Sequence, residues 1–380
     1  YAGLITGITA NCAGGLSSSV GEMAGITGGA TMEVSQVPLK YPGLADWQIV
    51  VSESQERMTI STDNVEALLA MANRFDVMAV AIGQFDDSGY FRVTREGKTV
   101  ALLNLEFLHD GAPRLALQSK WTFRAEVEVG QPAFAIDNDK DLTPVFKKVL
   151  AHPNVCSREA IIRQYDHEVQ GGSVIKPLMG PAQKSPCDAG VVLPRLGSDR
   201  ALAVSCGMTP LLSQFDPYLM AQCSADEAVR NAVCVGADPD SISLLDNFCW
   251  PDPVQSDKNP LGQEKLAQLV LSVKGLHDIC MEYGTPLISG KDSMKNNFDD
   301  GKLHLAIEPT LLVSAMGIVP DCNLAVSSDF KNEGDLVYLI AAGAPALTAS
   351  VLADLDSDLN SSRLPHLNTA LALTLYRRPY

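Results

Sequence analysis

Residues 190–206, GVVLPRLGSDRALAVSC, contain two short apolar runs separated by a polar turn. Glycine, serine and aspartate at 197–199 are typical of a tight connection, so the two runs predict the strands of a β-hairpin. This hairpin indicates that the second half of the chain is built on antiparallel pairing.

Two helices are predicted downstream of the hairpin. Ser224 and Glu227 have the spacing of a capping box, and the helix that they predict ends at Gly236. A longer helix is predicted over residues 263–283, because its apolar side chains recur on one face, and it ends at Gly284.

Strand-like runs flank the predicted helices in both halves of the chain. Residues 285–290 and 304–319 predict strands after the long helix, and 335–341 a further one. In the first half, a helix over 62–75 precedes strands between residues 76 and 105. Mixed hairpins and amphipathic helices indicate an α+β fold of layered sheets and helices. The sequence contains neither a G-x-G-x-x-G nor a Walker A motif.

The composition restricts the classes of partner. The 380 residues are 46% hydrophobic and 19% charged, which is typical of globular proteins, and they predict more than one domain. With 45 acidic and 29 basic side chains, the formal net charge is −16. Such a surface repels phosphate backbones and anionic lipids, so we expect neither a nucleic acid nor a membrane as partner.

The nine cysteines are scattered and form no C-x-x-C pair. This pattern argues against a disulfide framework or a zinc ribbon and predicts reduced thiols in a cytosolic protein. No basic leader of a signal peptide precedes the first apolar run.

A polar cluster interrupts apolar neighbours in residues 51–58, VSESQERM. One interpretation is alternating exposure on an edge strand, which needs no function. The other is that Ser54, Gln55, Glu56 and Arg57 form a polar wall that holds a hydroxylated, phosphorylated ligand through directed hydrogen bonds.

A second cluster joins Glu227 to Asn231, which lie one turn apart on the predicted helix. Glu227 could be only the capping partner of Ser224, but Asn231 has no capping role so far inside a helix. A carboxylate and an amide oxygen suit Mg²⁺, which also keeps phosphate ligands, and Asp188 could add a second carboxylate.

A third polar stretch follows the strand in residues 285–294, TPLISGKDSM. Gly290, Lys291, Asp292 and Ser293 are consistent with an ordinary polar turn or with a functional loop. Asp246 and its neighbour asparagine make a further polar break in LLDNFCWPDP.

In combination these stretches resemble phosphoribosylformylglycinamidine synthase, of the superfamily that includes aminoimidazole ribonucleotide synthetase. The motifs that carry the resemblance are GGLSSSVGEMA (14–24), VSESQERM (51–58), FLHDG (107–111), SREAIIRQYDHEVQGGSVIKPL (157–178), CDAGVVL (187–193), ADEAVRNAVCVGADP (225–239), LLDNFCWPDP (244–253) and TPLISGKDSM (285–294). Together they extend over nearly the whole chain.

The resemblance implies ATP- and Mg²⁺-dependent conversion of formylglycinamide ribonucleotide to its amidine. ATP would phosphorylate the amide oxygen, and ammonia from a glutaminase subunit or fused domain would displace the phosphate. Two alternatives are a non-catalytic nucleotide-binding scaffold and a superfamily kinase or dikinase that acts on another small substrate.

The resemblance also implies a domain order. Residues 1–120 are similar to the C-terminal half of synthetase repeat one, and 121–150 to a linker. Residues 151–320 are similar to the N-terminal, nucleotide-binding half of repeat two, and 321–380 to part of its C-terminal half. The half-repeat with the catalytic histidine of the family has no counterpart here, so we expect a fragment or a chain joined across gaps.

Site residues follow from the same motifs. Asp188, Glu227 and Asn231 match positions that hold magnesium and nucleotide phosphates, in a reacting or an auxiliary site, and Arg158 stands where the family often has a lysine near the phosphates. Residues 290–293 match a loop that reaches toward nucleotide, and the polar residues 54–57 are predicted to bind the substrate. Ala10 occupies the usual position of a magnesium-binding aspartate, which puts one metal contact in doubt.

Overall fold

The computed structural model describes residues 3–11, 13–122, 141–343, 346–355 and 363–378. The chain divides into two compact units, Tyr1–Ala116 and Leu117–Tyr380. Within the described ranges, no helix combines the length and the apolar character that crossing a membrane requires.

Unit 1 contains a four-stranded sheet and a separate two-stranded pair. Its elements are β1 (Gly7–Ala10), α1 (Gly15–Thr27), β2 (Gly29–Glu33), α2 (Asp46–Val51), β3 (Met58–Ser61), α3 (Val65–Arg74), β4 (Gly83–Asp86), β5 (Tyr90–Arg95), β6 (Lys98–Asn104) and α4 (Leu105–Asp110). The sheet has the order β4-β2-β5-β6, and β1 pairs antiparallel with β3.

The core of unit 1 lies between α1 and this sheet. Leu16, Val20 and Ala24 recur at four-residue spacing on α1 and are buried. They belong to the same cluster of buried side chains as Met32 and Phe91 of the sheet. The packing therefore positions the two ends of α1, including the glycine turn that precedes it.

Unit 2 is built on a six-stranded sheet. Its elements are α5 (Thr143–Ala151), α6 (Glu159–Ile162), β7 (Ser173–Ile175), β8 (Leu178–Met179), β9 (Ser185–Pro186), β10 (Ala189–Val192), β11 (Ala201–Gly207), α7 (Pro217–Cys234), β12 (Ser243–Cys249), α8 (Gly262–Tyr283), β13 (Leu287–Ser293), β14 (Asn297–Asp299), β15 (His304–Ala306), β16 (Thr310–Val319), α9 (Val351–Leu355) and α10 (Thr369–Tyr376).

Helices α7 and α8 pack against each other, and their buried side chains share one apolar core with the sheet. The strand order of the six-stranded sheet is β13-β12-β16-β11-β10-β7. Strand β11 pairs antiparallel with β16, which pairs antiparallel with β12. Strands β11 and β12 therefore run in the same direction, and their carboxyl ends lie at one edge of the sheet. The α+β prediction is confirmed.

The predicted hairpin and the long helix both form. Residues 190–206 supply β10 and β11, which pair antiparallel. Helix α8 ends where predicted, since Gly284 adopts a left-handed φ of 71° and its amide bonds to the Cys280 carbonyl.

The predicted capping box is wrong. Helix α7 begins at Pro217, where the Asp216 side chain accepts a hydrogen bond from the Leu219 amide and proline occupies the first turn. Ser224 therefore lies inside the helix, where its Oγ accepts from the Thr209 amide at 3.1 Å.

Three other boundaries differ from the prediction. Strand β13 continues through Gly290 to Ser293, so this segment is neither a turn nor a loop. Residues 77–82 form no strand, and in that region only Gly83–Asp86 pairs with β2. The apolar run 336–340 also forms no strand, and Leu339 in it is 92% exposed.

Candidate functional site

Gly207, the last residue of β11, allows α7 to lie directly against the strand. A Cβ at this position would stand 2.2 Å from the Ser224 carbonyl oxygen and 2.8 Å from the Glu227 Cβ. Only glycine permits this approach without a shift of the backbone. The contact brings the middle of α7 to the carboxyl end of β11.

Glu227 and Asn231 both bond to the backbone on either side of that glycine. The Met208 amide donates to Glu227 Oε2 at 2.8 Å, and Asn231 Nδ2 donates to the Cys206 carbonyl at 3.0 Å. These bonds leave Glu227 Oε1 and Asn231 Oδ1 without a hydrogen bond among the described residues. Glu227 and Asn231 therefore each have one side-chain oxygen available to a ligand, and both residues lie beside Gly207.

Asp188 adds a second negative charge to this end of the sheet. It precedes β10, whose first residue Ala189 lies opposite Ser205 of β11. Burial raises the pKa of the Glu227 carboxyl, the Met208 amide lowers it, and the Asp188 charge raises it further. Burial also raises the pKa of the Cys206 thiol, and the charges of Glu227 and Asp188 act in the same direction.

The three predicted residues thus supply two carboxylates and one amide at the same end of the sheet. Among the described residues there is no group of three or more His, Cys, Asp or Glu that could hold a metal. The set nevertheless fits a hard cation such as Mg²⁺, which takes one or two protein carboxylates and completes its shell with phosphate oxygens and water.

An ionic cluster next to Glu227 was not predicted from the sequence. The buried Asp226 carboxylate accepts from the Tyr283 and Tyr376 hydroxyls at 2.6 Å and 2.8 Å, and it pairs with Arg230. The sequence signal that could have indicated this ion pair is the four-residue spacing of Asp226 and Arg230 on a predicted helix.

Arg158 is placed differently from the other predicted phosphate contacts. Its guanidinium donates to the Cys156 carbonyl at 2.8 Å and to the Pro153 carbonyl, within the loop before α6. No hydrogen bond or ion pair joins Arg158 to Asp188 or Glu227 in the described part of the chain.

The Gly290–Ser293 segment lies on the edge strand of the same sheet, beside β12. Asp246 is opposite Gly290 in the parallel pair, and its neighbour Asn247 is opposite Lys291. Burial raises the pKa of Asp246, and the charge of Asp292 adds to this effect. Lys291 is exposed, and among the described residues its Nζ makes only a 3.5 Å contact with the Asp292 carbonyl.

The predicted substrate residues lie in unit 1 and form a loop between α2 and β3. Glu56 has a left-handed φ of 58°, and Arg57 Nε donates to the Ser54 carbonyl at 2.9 Å. The edge-strand interpretation of Gln55 and its neighbours is therefore wrong. Ala10 lies opposite Met58 at the end of β1, next to this loop.

Comparison with known proteins shows one family in both units. The AIR synthase related protein, C-terminal domain, matches residues 2–96, and the AIR synthase related protein, N-terminal domain, matches residues 186–319. The phosphoribosylformylglycinamidine synthase subunit PurL of Picrophilus torridus is 33% identical over 359 residues, which are 93% of this chain and 45% of that relative. The chain spans about half the length of the curated relatives it matches.

Solved structures show the same fold. Thermotoga maritima PurL complexed with ADP has a TM-score of 0.60 at 24% identity, and the match covers 86% of this chain and 48% of that one. The T. maritima PurL complexed with FGAR has a TM-score of 0.59 at 24% identity, covering 84% and 46%. With the two domain models matching more than half of its length, the chain belongs to the AIR synthase related protein family.

Proposed function

We propose that this chain is part of an ATP-dependent phosphoribosylformylglycinamidine synthase of purine biosynthesis, a C–N ligase that acts in the cytosol. The observation that carries the proposal is the placement of Glu227, Asn231 and Asp188 at one end of the unit 2 sheet. The PurL relatives and the PurL structures with ADP and FGAR support it.

In this proposal, Glu227, Asn231 and Asp188 hold Mg²⁺ together with nucleotide phosphates. The bound cation would neutralise phosphate charge. The protein contributes orientation, because the Met208 amide and the Cys206 carbonyl fix the two α7 side chains. Lys291 is available as a further phosphate contact, since its exposed ammonium has no carboxylate partner among the described residues.

The loop of Ser54, Gln55, Glu56 and Arg57 is proposed to bind formylglycinamide ribonucleotide. Its hydroxyl, amide and carboxylate groups are suited to a hydroxylated, phosphorylated ligand. Ammonia is proposed to come from a glutaminase subunit or fused domain. Residues 1–120 and 151–320 are proposed to be successive half-repeats, and the order of the two matched domains supports that arrangement.

A non-catalytic nucleotide-binding scaffold is the second candidate, and Ala10 favours it. An alanine methyl group supplies no metal ligand at a position where the resemblance implies an aspartate. In that case the chain would bind Mg-ADP without turning over ATP.

One set of measurements separates the candidates. Calorimetric titration of ADP with Mg²⁺ into the chain tests the site, and the release of ADP from ATP by the full-length protein tests the reaction. Release that requires both formylglycinamide ribonucleotide and ammonia is the expected result. Binding without release would favour the scaffold, and no binding would refute the nucleotide site.

A further inference from the structure

Asp226 and Glu227 are consecutive residues of α7, but their carboxylates have different surroundings. Asp226 is only 2% exposed and has partners on both oxygens. Its Oδ1 accepts the hydroxyls of Tyr283, at the end of α8, and Tyr376, at the end of α10, while its Oδ2 pairs with Arg230. Glu227, in contrast, keeps Oε1 without a hydrogen bond from the described residues.

Arg230 lies beside both of these carboxylates. It is four residues after Asp226 and three after Glu227, and both spacings make neighbours on a helix surface. The Arg230 side chain is 48% exposed, and its positive charge acts on Glu227 as well as on Asp226. A guanidinium that lost Asp226 would therefore find Glu227 as an alternative acceptor on the same helix.

We propose that Asp226 is a positioning residue that holds the Arg230 guanidinium away from Glu227, which leaves Glu227 free to bind a divalent cation. This inference rests on the proposed function, because it requires a cation at Glu227. The two tyrosine hydroxyls compensate the buried Asp226 charge, so the last described helix helps to maintain this arrangement.

The test is a charge rescue. Calorimetric titrations of ADP with Mg²⁺ compare the wild type with Asp226→Asn and with the double variant Asp226→Asn, Arg230→Gln, after circular dichroism has shown that each is folded. The single variant is expected to bind about tenfold more weakly, a change of about 1.4 kcal/mol. The double variant is expected to recover to within about threefold of the wild type, because no guanidinium then competes for Glu227.

A purely structural role for Asp226 predicts a different outcome. The double variant would then bind as weakly as the single variant, or more weakly, and the inference would be overturned. Unchanged binding by Asp226→Asn would overturn it as well. A wild type that binds no Mg-ADP refutes the proposed nucleotide site itself and removes the basis of the inference.

Two further variants keep the inference testable if Asp226→Asn does not fold. Arg230→Gln alone is expected to bind Mg-ADP at least as tightly as the wild type, and weakening would contradict the inference. Tyr218→Phe is the matched control, since it removes a similar bond, from the Tyr218 hydroxyl to Asp278 Oδ2 at 2.8 Å, between α7 and α8. It should leave the affinity unchanged.

Discussion

Asp246 and Gly290 lie opposite each other in the parallel pair of β12 and β13, and Asp246 Oδ1 is 2.6 Å from where a Cβ on Gly290 would stand. The carboxylate thus lies over a residue that has no side chain. Since Gly290 has no left-handed φ, its role is to make space and not to relax the backbone. This relationship links the predicted Gly290–Ser293 segment to the next strand.

Gly290→Ala is therefore expected to destabilise the protein by about 1–3 kcal/mol, because the added methyl group displaces the Asp246 carboxylate. In an Asp246→Ala background the same substitution should be neutral or stabilising by about 0.4–1 kcal/mol. Urea unfolding of the four proteins measures this coupling. If Gly290→Ala lowers the free energy of unfolding equally in the wild type and in Asp246→Ala, the Asp246 carboxylate is not the reason for glycine at this position.

Glu33 is the acceptor that closes the turn between β5 and β6. Its Oε1 accepts from the amides of Ser35 and Glu96, and its Oε2 accepts from the Thr94 hydroxyl and the Gly97 amide. The Ser35 hydroxyl also donates to Oε1, and this bond is the main cause that lowers the pKa of Glu33 from 4.5 to about 2, with the Gly97 amide, the Thr94 hydroxyl and the Glu96 amide acting in the same direction. The ionised carboxylate therefore favours the folded state.

The sign of the pH effect follows from this lowered pKa. The contribution of Glu33 is fully present above pH 4.5 and is lost as the pH falls toward about 2. In Glu33→Gln, the free energy of unfolding should be lower at neutral pH and should decrease less between these values. Urea titrations at several pH values measure it, with Glu66→Gln on α3 as the control. An identical acid dependence in the wild type and Glu33→Gln would refute the assignment.

Some of the helices and strands that depend on local residue patterns were predicted correctly from the sequence. The apolar face of α8 and its glycine stop at Gly284 gave correct helix bounds, and the hairpin at 190–206 gave the correct strand pair. The start of α7 was missed because Asp216 and Pro217 provide a stronger start signal than Ser224 does. The exposed run 336–340 shows that apolar character alone does not form a strand without a paired edge.

The candidate site could be predicted only in part from the sequence. The spacing of two of its residues on one helix is a local pattern, but the residues that surround them come from distant parts of the chain. Glu227 and Asn231 were recognised from their separation by one turn. The requirement for Gly207 depends on the approach of α7 to β11, and the Asp226 cluster depends on Tyr376, which lies 150 residues further along the chain. Contacts between distant segments have no signature in a short motif.

The tyrosines of this cluster predict an alkaline loss of stability. Burial raises the pKa of Tyr283 and of Tyr376, and the Asp226 charge adds to this effect. The folded state therefore keeps both protons above pH 10, where the unfolded state loses them, so stability decreases as the pH rises past 10.

Tyr283→Phe and Tyr376→Phe should each cost about 1.5–3 kcal/mol at neutral pH, since each removes a hydrogen bond to a buried carboxylate. In the double variant, the part of the alkaline decrease in stability that comes from these two tyrosines should be absent. Unfolding by urea between neutral pH and pH above 10 measures both effects. A wild-type alkaline slope that persists in the double variant would contradict the prediction.

The Glu227 carboxylate is expected to lower the stability of the folded protein and to strengthen the binding of Mg-ADP. Its raised pKa means that the charged carboxylate is less favourable in the folded than in the unfolded protein. Stability should therefore decrease as the pH rises through the ordinary glutamate value of 4.5. Glutamine at this position still accepts the Met208 amide but carries no charge.

Glu227→Gln should thus be as stable as the wild type at neutral pH, or more stable, while its affinity for Mg-ADP falls by about 1–3 kcal/mol. Asn231→Leu should lose affinity similarly, because it removes the neighbouring amide oxygen, but it should also lose stability, since the Cys206 carbonyl then lacks its donor. Thermal unfolding and calorimetric titration separate the two effects, with Glu264→Gln in the first turn of α8 as the control. Wild-type affinity in both variants would mean that this face of α7 only anchors the helix to β11.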